Sequence, residues 1–242
     1  MGITLTCVSQ QTVARPPVSG AKKRDYWWTV IFTDPISLPL VRLLYKRRWL
    51  TPDQVSIIAA VLGLFVGPLF ALGTRAGLIA GGLVFQAAFI VDCVDGKLAR
   101  ALGTTSPKGE TLDRIGDATR RASASLGLTL FLWRSEDYSA DAILVAALYA
   151  VTAYFFIELS GGSEVRQEAW FKKPDGASPP PEPTGLSGVL ARWRLLPTPG
   201  MPDVQALVFV IGPVSGFVTE TLWVGTAVVG VGILISLWRH LR

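Results

Sequence analysis

The chain has 242 residues, half of them hydrophobic, with a mean hydropathy of +0.42 and only 17% charged residues. That balance excludes an ordinary soluble core and fits a protein built from membrane-crossing helices. The net charge of +5 is not a nucleic-acid footprint, because the basic residues flank apolar runs instead of striping a soluble domain. Two cysteines, Cys7 and Cys93, make no disulfide framework, and with the lone His240 they are too few for a zinc site.

Residues 1–21 show no apolar run and no periodicity, and are expected to be a mobile tail without a cleavable signal peptide. MGITLT fits a myristoylation pattern, which at this length is read as chance. Residues 22–50 mix Trp27, Trp28, Leu40, Leu43 and Leu44 with Arg42, Lys46, Arg47 and Arg48. This predicts an amphipathic juxtamembrane helix lying in the interface, with basic groups at the lipid headgroups. Thr51 and Pro52 supply an N-cap and a first helical residue.

Residues 51–242 are then expected to form one six-helix transmembrane domain, making the chain an all-α membrane protein. The first span covers 55–73, with Pro68 predicted to kink it. The second covers 77–98, where the Gly81–Gly82 pair permits close helix contact. The third covers 110–133 and the fourth 140–159. A long polar loop, 160–203, contains SPPPEP and reads as an extended connection. Two shorter spans, 204–219 and 221–238, close the chain.

Lysine and arginine alternate across these spans. Eight precede the first span, and only Arg75 follows it. Four, Lys97, Arg100, Lys108 and Arg114, join the second to the third, and only Arg134 follows the third. The bias places both termini and the 92–117 region on the cytoplasmic side.

That region, DCVDGKLARALGTTSPKGETLDRIGD, holds the chemistry. Asp92 and Asp95 are spaced i, i+3 and share a helix face. Gly109, Asp113 and Asp117 are spaced by four and share a face of the next helix. Gly103 to Pro107 reads as the turn between them. An aspartate at the centre of a membrane helix costs ~2.5–3.5 kcal/mol, so four together call for a positive partner. Oxygen-only ligands suit hard divalent cations, magnesium first, with manganese or calcium as competitors. Gly96, Ala99 and Gly109 are small enough to let a bulky ligand approach the backbone. The bland alternative, solvated acids at a helix end, does not account for the bracketing Gly, Ala and Arg.

The pattern D-x2-D-G-x2-A-R-x8-G-x3-D-x3-D, with eight fixed positions filled over 26 residues, resembles the signature of the CDP-alcohol phosphotransferases. These are integral membrane enzymes of phospholipid synthesis. The resemblance implies that an acceptor hydroxyl attacks the β-phosphorus of a CDP-linked donor, usually CDP-diacylglycerol, with CMP leaving. It implies that Asp92, Asp95 and Asp113 ligate Mg2+ or Mn2+, as a pair of ions. Asp117 is implied as general base, with metal ligation as a second role. Gly96, Ala99, Arg100 and Gly109 are implied to line the cytidine diphosphate pocket, and a homodimer is implied. Asp53 stands where the family often has Asn after Thr-Pro. Arg120, Arg121, Lys108 and Arg166 are candidates for a phosphorylated acceptor, although ELSGGSEVRQE after the fourth span is unlike the basic stretch of the inositol-phosphate branch. Two other readings compete with it: a magnesium-dependent prenyltransferase and a cation-binding transporter. The first should show two widely separated DDxxD motifs, the second mid-span acids in repeated halves.

Overall fold

A computed structural model describes residues 20–134, 140–159 and 185–241. Helix α1 (Asp34–Arg47) follows a π-helical turn, Thr29–Thr33. Then come α2 (Pro52–Phe70), α3 (Arg75–Leu102), α4 (Pro107–Arg134) and α5 (Ala140–Leu159). Beyond residue 184 lie α6 (Gly185–Arg192), α7 (Met201–Ala206), a second π-helical turn (Leu207–Ile211), α8 (Gly212–Ser215) and α9 (Val218–His240). Among the described residues no strand forms beyond an isolated bridge between Asp25 and Leu195.

Four helices are long and apolar enough to cross a bilayer: Pro52–Phe70, Arg75–Leu102, Ala140–Ile157 and Val218–Trp238. Their outward residues are apolar, including Leu64, Phe65, Leu83, Leu144, Tyr154 and Leu234, as lipid contact requires. The segment predicted as the third span is helical, as α4, but it is not one of these four, and its early turns carry Lys108, Glu110, Asp113, Arg114, Asp117, Arg120 and Arg121. The fifth is the broken helix Met201–Ser215, about 22 Å long at 1.5 Å per residue, against a hydrocarbon thickness of about 30 Å.

Helix α2 starts as the sequence predicts. Thr51 accepts from the Gln54 amide at 3.3 Å, while the Gln54 side chain accepts from the Thr51 amide at 3.0 Å. It packs chiefly between α3 and α4. The α2–α4 crossing is built on glycine. A Cβ on Gly127 would lie 2.5 Å from the Gly67 backbone, and one on Gly63 would lie 2.9 Å from Arg120 Cβ. Pro68 stays inside the helix. Its ring removes the amide that would satisfy the Leu64 carbonyl, and the Ser123 hydroxyl of α4 donates to that carbonyl instead, at 2.9 Å. Gly81 packs on the Phe70 ring and Gly82 on Val214 and the Phe209 carbonyl, which is the close contact their pairing predicts.

The two π-helical turns have a common setting. In each, the next amide bonds five residues back, Asp34 to Thr29 and Gly212 to Leu207, and a proline follows directly, Pro35 and Pro213. The widened turn shifts the hydrogen-bond register just before a residue that cannot donate.

Helix α1 is inverted relative to a soluble amphipathic helix. It buries Asp34, Ser37 and Val41 and exposes Ile36, Leu40 and Leu43. The expected mobile tail ends earlier than residue 21, since the Gly20 carbonyl accepts from Arg100 Nε at 2.7 Å; residues 1–19 lie outside the described ones. Likewise the predicted loop 160–203 contains helix α6 and the start of α7, and its SPPPEP stretch lies outside the described residues. Residues 193–196 clasp the chain's beginning: the Asp25 amide donates to the Arg194 carbonyl at 2.8 Å and the Leu196 amide to the Asp25 carbonyl at 3.0 Å.

Candidate active site

The turn predicted between the two acid-bearing helices is present. Gly103 caps α3 with φ +67°, a left-handed conformation that costs glycine little, and α4 begins at Pro107. The reversal sets the last turns of α3 beside the first turns of α4. Asp92, Asp95 and Asp113 then converge, each offering a carboxylate oxygen within 4.8 Å of the others. Asp92 and Asp95 are buried and Asp113 is half-buried. Three oxygen donors at this spacing fit one hard divalent cation.

Further contacts fix the cluster from two sides. Asp95 accepts from the Ser56 hydroxyl of α2 and from the Gly96 amide. Arg120, 1% exposed, places Nη1 3.4 Å from Asp92 and pairs through Nη2 with Asp117. Its guanidinium lies over the rings of Phe85 and Phe89, at 5.5 and 5.2 Å. Arg121 pairs with the other oxygen of Asp117 at 3.3 Å. The fourth aspartate thus lies beside the cluster but is engaged by arginines, and the metal-sized group contains the other three.

Arg100 folds back over Gly96, its Nη1 3.3 Å from where a Cβ would stand. Gly109 faces open space bordered by Ser106 and Asp53, at 3.4 and 3.7 Å from its Cβ position. Asp53 and Ser106 also line a cavity of about 420 Å³, together with Arg48, Thr51, Leu102 and Thr104. Ala99 is half-buried on the same stretch of α3.

Among the described residues, the candidates for an acceptor-phosphate pocket are engaged with carboxylates instead. Arg120 and Arg121 turn to Asp117, Lys108 pairs with Asp53 at 3.1 Å on the surface, and Arg166 lies outside the described residues. Lys97, read from sequence as a topology charge, is instead buried. It pairs with Asp34 at 3.2 Å, and Asp34 pairs with Arg194 at 3.0 Å. The signal that could have found this is the lysine's place in the helix: its face, shared with Cys93, turns away from solvent.

The match to known proteins agrees with this geometry. Residues 49–218 match the CDP-alcohol phosphatidyltransferase family, and the chain belongs to it. It is therefore an integral membrane protein. Over 103 residues it is 40% identical to the "Bifunctional IPC transferase and DIPP synthase" of Rubrobacter xylanophilus, covering 40% of this chain and 23% of that protein. The protein of the same description from Thermococcus kodakarensis is 35% identical over 82 residues, 34% of this chain and 18% of that one. The chain thus spans about a fifth of the length of these curated relatives. The fold is similar to crystal structures of Mycobacterium tuberculosis phosphatidylinositol phosphate synthase, one with manganese and citrate and one with CDP-DAG bound. Both have a TM-score of 0.59 and 21% identity over 84% of this chain, covering 87% and 92% of theirs.

Proposed function

We propose that the chain moves a substituted phosphoryl group from a CDP-linked donor to the hydroxyl of an acceptor alcohol, releasing CMP, within phospholipid biosynthesis. CDP-diacylglycerol is the favoured donor, since a lipid-anchored substrate reaches a site at the end of membrane helices by lateral diffusion. The observation that carries the reading is the convergence of Asp92, Asp95 and Asp113, in a chain of this family.

The reaction exchanges one phosphorus–oxygen bond for another. The acceptor oxygen bonds to the β-phosphorus, the bond to the CMP oxygen breaks, and the hydroxyl proton passes to Asp117. Asp92, Asp95 and Asp113 would hold Mg2+ or Mn2+, which when bound neutralises charge on the diphosphate. Asp117, one turn beyond Asp113, is set beside that group with both oxygens oriented by Arg120 and Arg121. Arg100 is anchored at Nε by the Gly20 carbonyl, so its Nη groups are left to meet phosphate oxygens. Gly96, Ala99 and Gly109 keep the nucleotide side open, and the cavity beside Gly109 is the space for the cytidine.

Six crossings complete this reading: α2, α3, α4, α5, Met201–Ser215 and α9. The charged half of α4 crosses shielded by α2 and α3. With that parity both termini and the site face the cytoplasm, as the lysine and arginine bias predicts. Helix α1, with apolar residues outward and Arg42, Lys46 and Arg47 along it, lies at the cytoplasmic interface.

The test is CMP release by the purified chain in lipid nanodiscs, with CDP-diacylglycerol, Mn2+ or Mg2+, and a panel of polyols and polyol phosphates. Metal-dependent CMP release that requires one member of the panel is expected. No CMP release with any donor or acceptor under either metal would overturn the reading.

A further inference from the structure

Along α1, Asp34, Leu38 and Arg42 recur at intervals of four and so share one stripe of the helix. A groove of about 380 Å³ follows that stripe, and Arg194 borders it from the late part of the chain. Its charge is unbalanced. Asp34, which is buried, pairs with Lys97 at 3.2 Å through Oδ1 and with Arg194 at 3.0 Å through Oδ2. Two cations on one carboxylate leave a positive surplus in this trio. Arg194 uses Nε and Nη2 on the Lys22 carbonyl and Nη1 on Asp34. A guanidinium has five N–H groups, so within the described residues two of them remain. Arg42 adds a second positive charge. It is exposed and has no carboxylate partner among the described residues. Helical side chains lean toward the helix start, which carries Arg42 back along the groove.

We propose that this groove binds the phosphate of an anionic phospholipid between Arg42 and Arg194. This rests on the placement of α1 at the membrane interface and does not depend on the phosphotransfer reaction. Apart from its charged members, the groove is lined by Val30, Pro35, Leu38 and Pro39. The adjoining face of α1 exposes Ile36, Leu40 and Leu43. A groove of this volume takes a headgroup and leaves the acyl chains outside, against that apolar face. A soluble phosphate would gain nothing from such walls. A zwitterionic lipid would bring a cation of its own to a groove already in positive surplus, so like charges would meet. Asp34 does not repel the phosphate, because each of its oxygens already faces a cation. The site is also separate from the aspartate cluster. Lys97 lies two residues beyond Asp95, about 200° around α3, so the groove is on the opposite side of that helix.

The experiment is native mass spectrometry of the full chain in detergent, titrated with phosphatidylglycerol or with phosphatidylcholine of the same acyl chains. One phosphatidylglycerol is expected to bind about tenfold or more tightly than phosphatidylcholine. Arg42→Gln should weaken it about fivefold or more, and Leu38→Glu, which puts a carboxylate into the same groove, should do so independently. Arg47→Gln should leave binding within about twofold, since Arg47 lies outside the groove, over the Trp49 ring at 5.4 Å. Asp95→Asn, at the separate aspartate cluster, should also leave it within about twofold. Equal affinity for the two lipids, or unchanged binding in both groove variants, would overturn the proposal. So would an Arg47→Gln loss as large as that of Arg42→Gln, which would make the basic surface diffuse. A loss in Asp95→Asn would put the lipid at the aspartate cluster, and displacement by millimolar inorganic phosphate would make the site one for free anions; either result overturns it. Retention of neither lipid would overturn it together with the interfacial placement of α1, whereas failure to release CMP would count only against the proposed reaction.

Discussion

The two ends of the α2–α3–α4 triple are packed by different physics. At one end the buried side chains are Val66, Phe70, Phe85, Leu128 and Leu132, a continuous apolar cluster. At the other they are Asp92, Asp95, Lys97 and Arg120, flanked by a small patch of Val41, Val55, Val94 and Leu98. The same three helices carry both, and the same glycines bring them together. The apolar end is held by volume, so its tolerance depends on shape. The charged end is held by pairing, so each group there is tolerable only because of another. That difference teaches where substitutions should change chemistry and where they should change only stability.

Substitutions can test that division. The largest effect belongs to the charged end. Asp95→Asn removes a carboxylate from the three-oxygen group, and CMP release is expected to fall on the order of a thousandfold with little change in melting temperature. Asp117→Asn should cost about 10²–10⁴-fold in turnover, the range of a general base, while donor binding measured by equilibrium dialysis is largely kept. Full activity in that variant would take Asp117 out of the base role. At the crossing between the ends, Gly67→Leu forces a side chain into the Ser123 backbone oxygen. A loss of roughly 3 kcal/mol or more, the upper range for overpacking, is expected in thermal unfolding. Ser123→Ala is milder: it orphans the Leu64 carbonyl left by Pro68 and should cost about 1–3 kcal/mol. Smallest is Lys108→Ala, whose exposed pair with Asp53 is worth under about 1 kcal/mol, so neither stability nor turnover should move measurably.

Much of this could be read from the sequence because helical periodicity is local. The i, i+3 and i+4 spacings of the aspartates, the Gly103 turn and the Thr51–Pro52 cap each need only neighbours in the chain, and each appears where its spacing puts it. The Gly63-x3-Gly67 spacing, beside the more conspicuous Pro68, is likewise a local signal of a small-residue contact face. What periodicity cannot give is the partner across space. Lys97 reads as a cytoplasmic topology charge until Asp34, far earlier in the chain, and Arg194, far later, close around it. Arg120 reads as a candidate for a phosphorylated acceptor, and only the fold shows it turned to the aspartate cluster. The span count is blurred for a related reason: hydropathy windows cannot tell charges facing lipid from charges facing α2 and α3.

The clasp between the chain's start and its late segment bears on how the protein is made. The Trp27 indole waits for the Leu196 carbonyl, 169 residues later, and Asp25 for its neighbours there. At ribosomal speeds of about 5–20 residues per second, that interval is on the order of ten to thirty seconds. For that time the newborn front end has only earlier partners, Gln86 for the Trp28 indole and Arg100 for the Gly20 carbonyl, and Lys97 and Asp34 must meet without Arg194. Fastening the clasp thus waits until α2, α3, α4 and α5 have all been made.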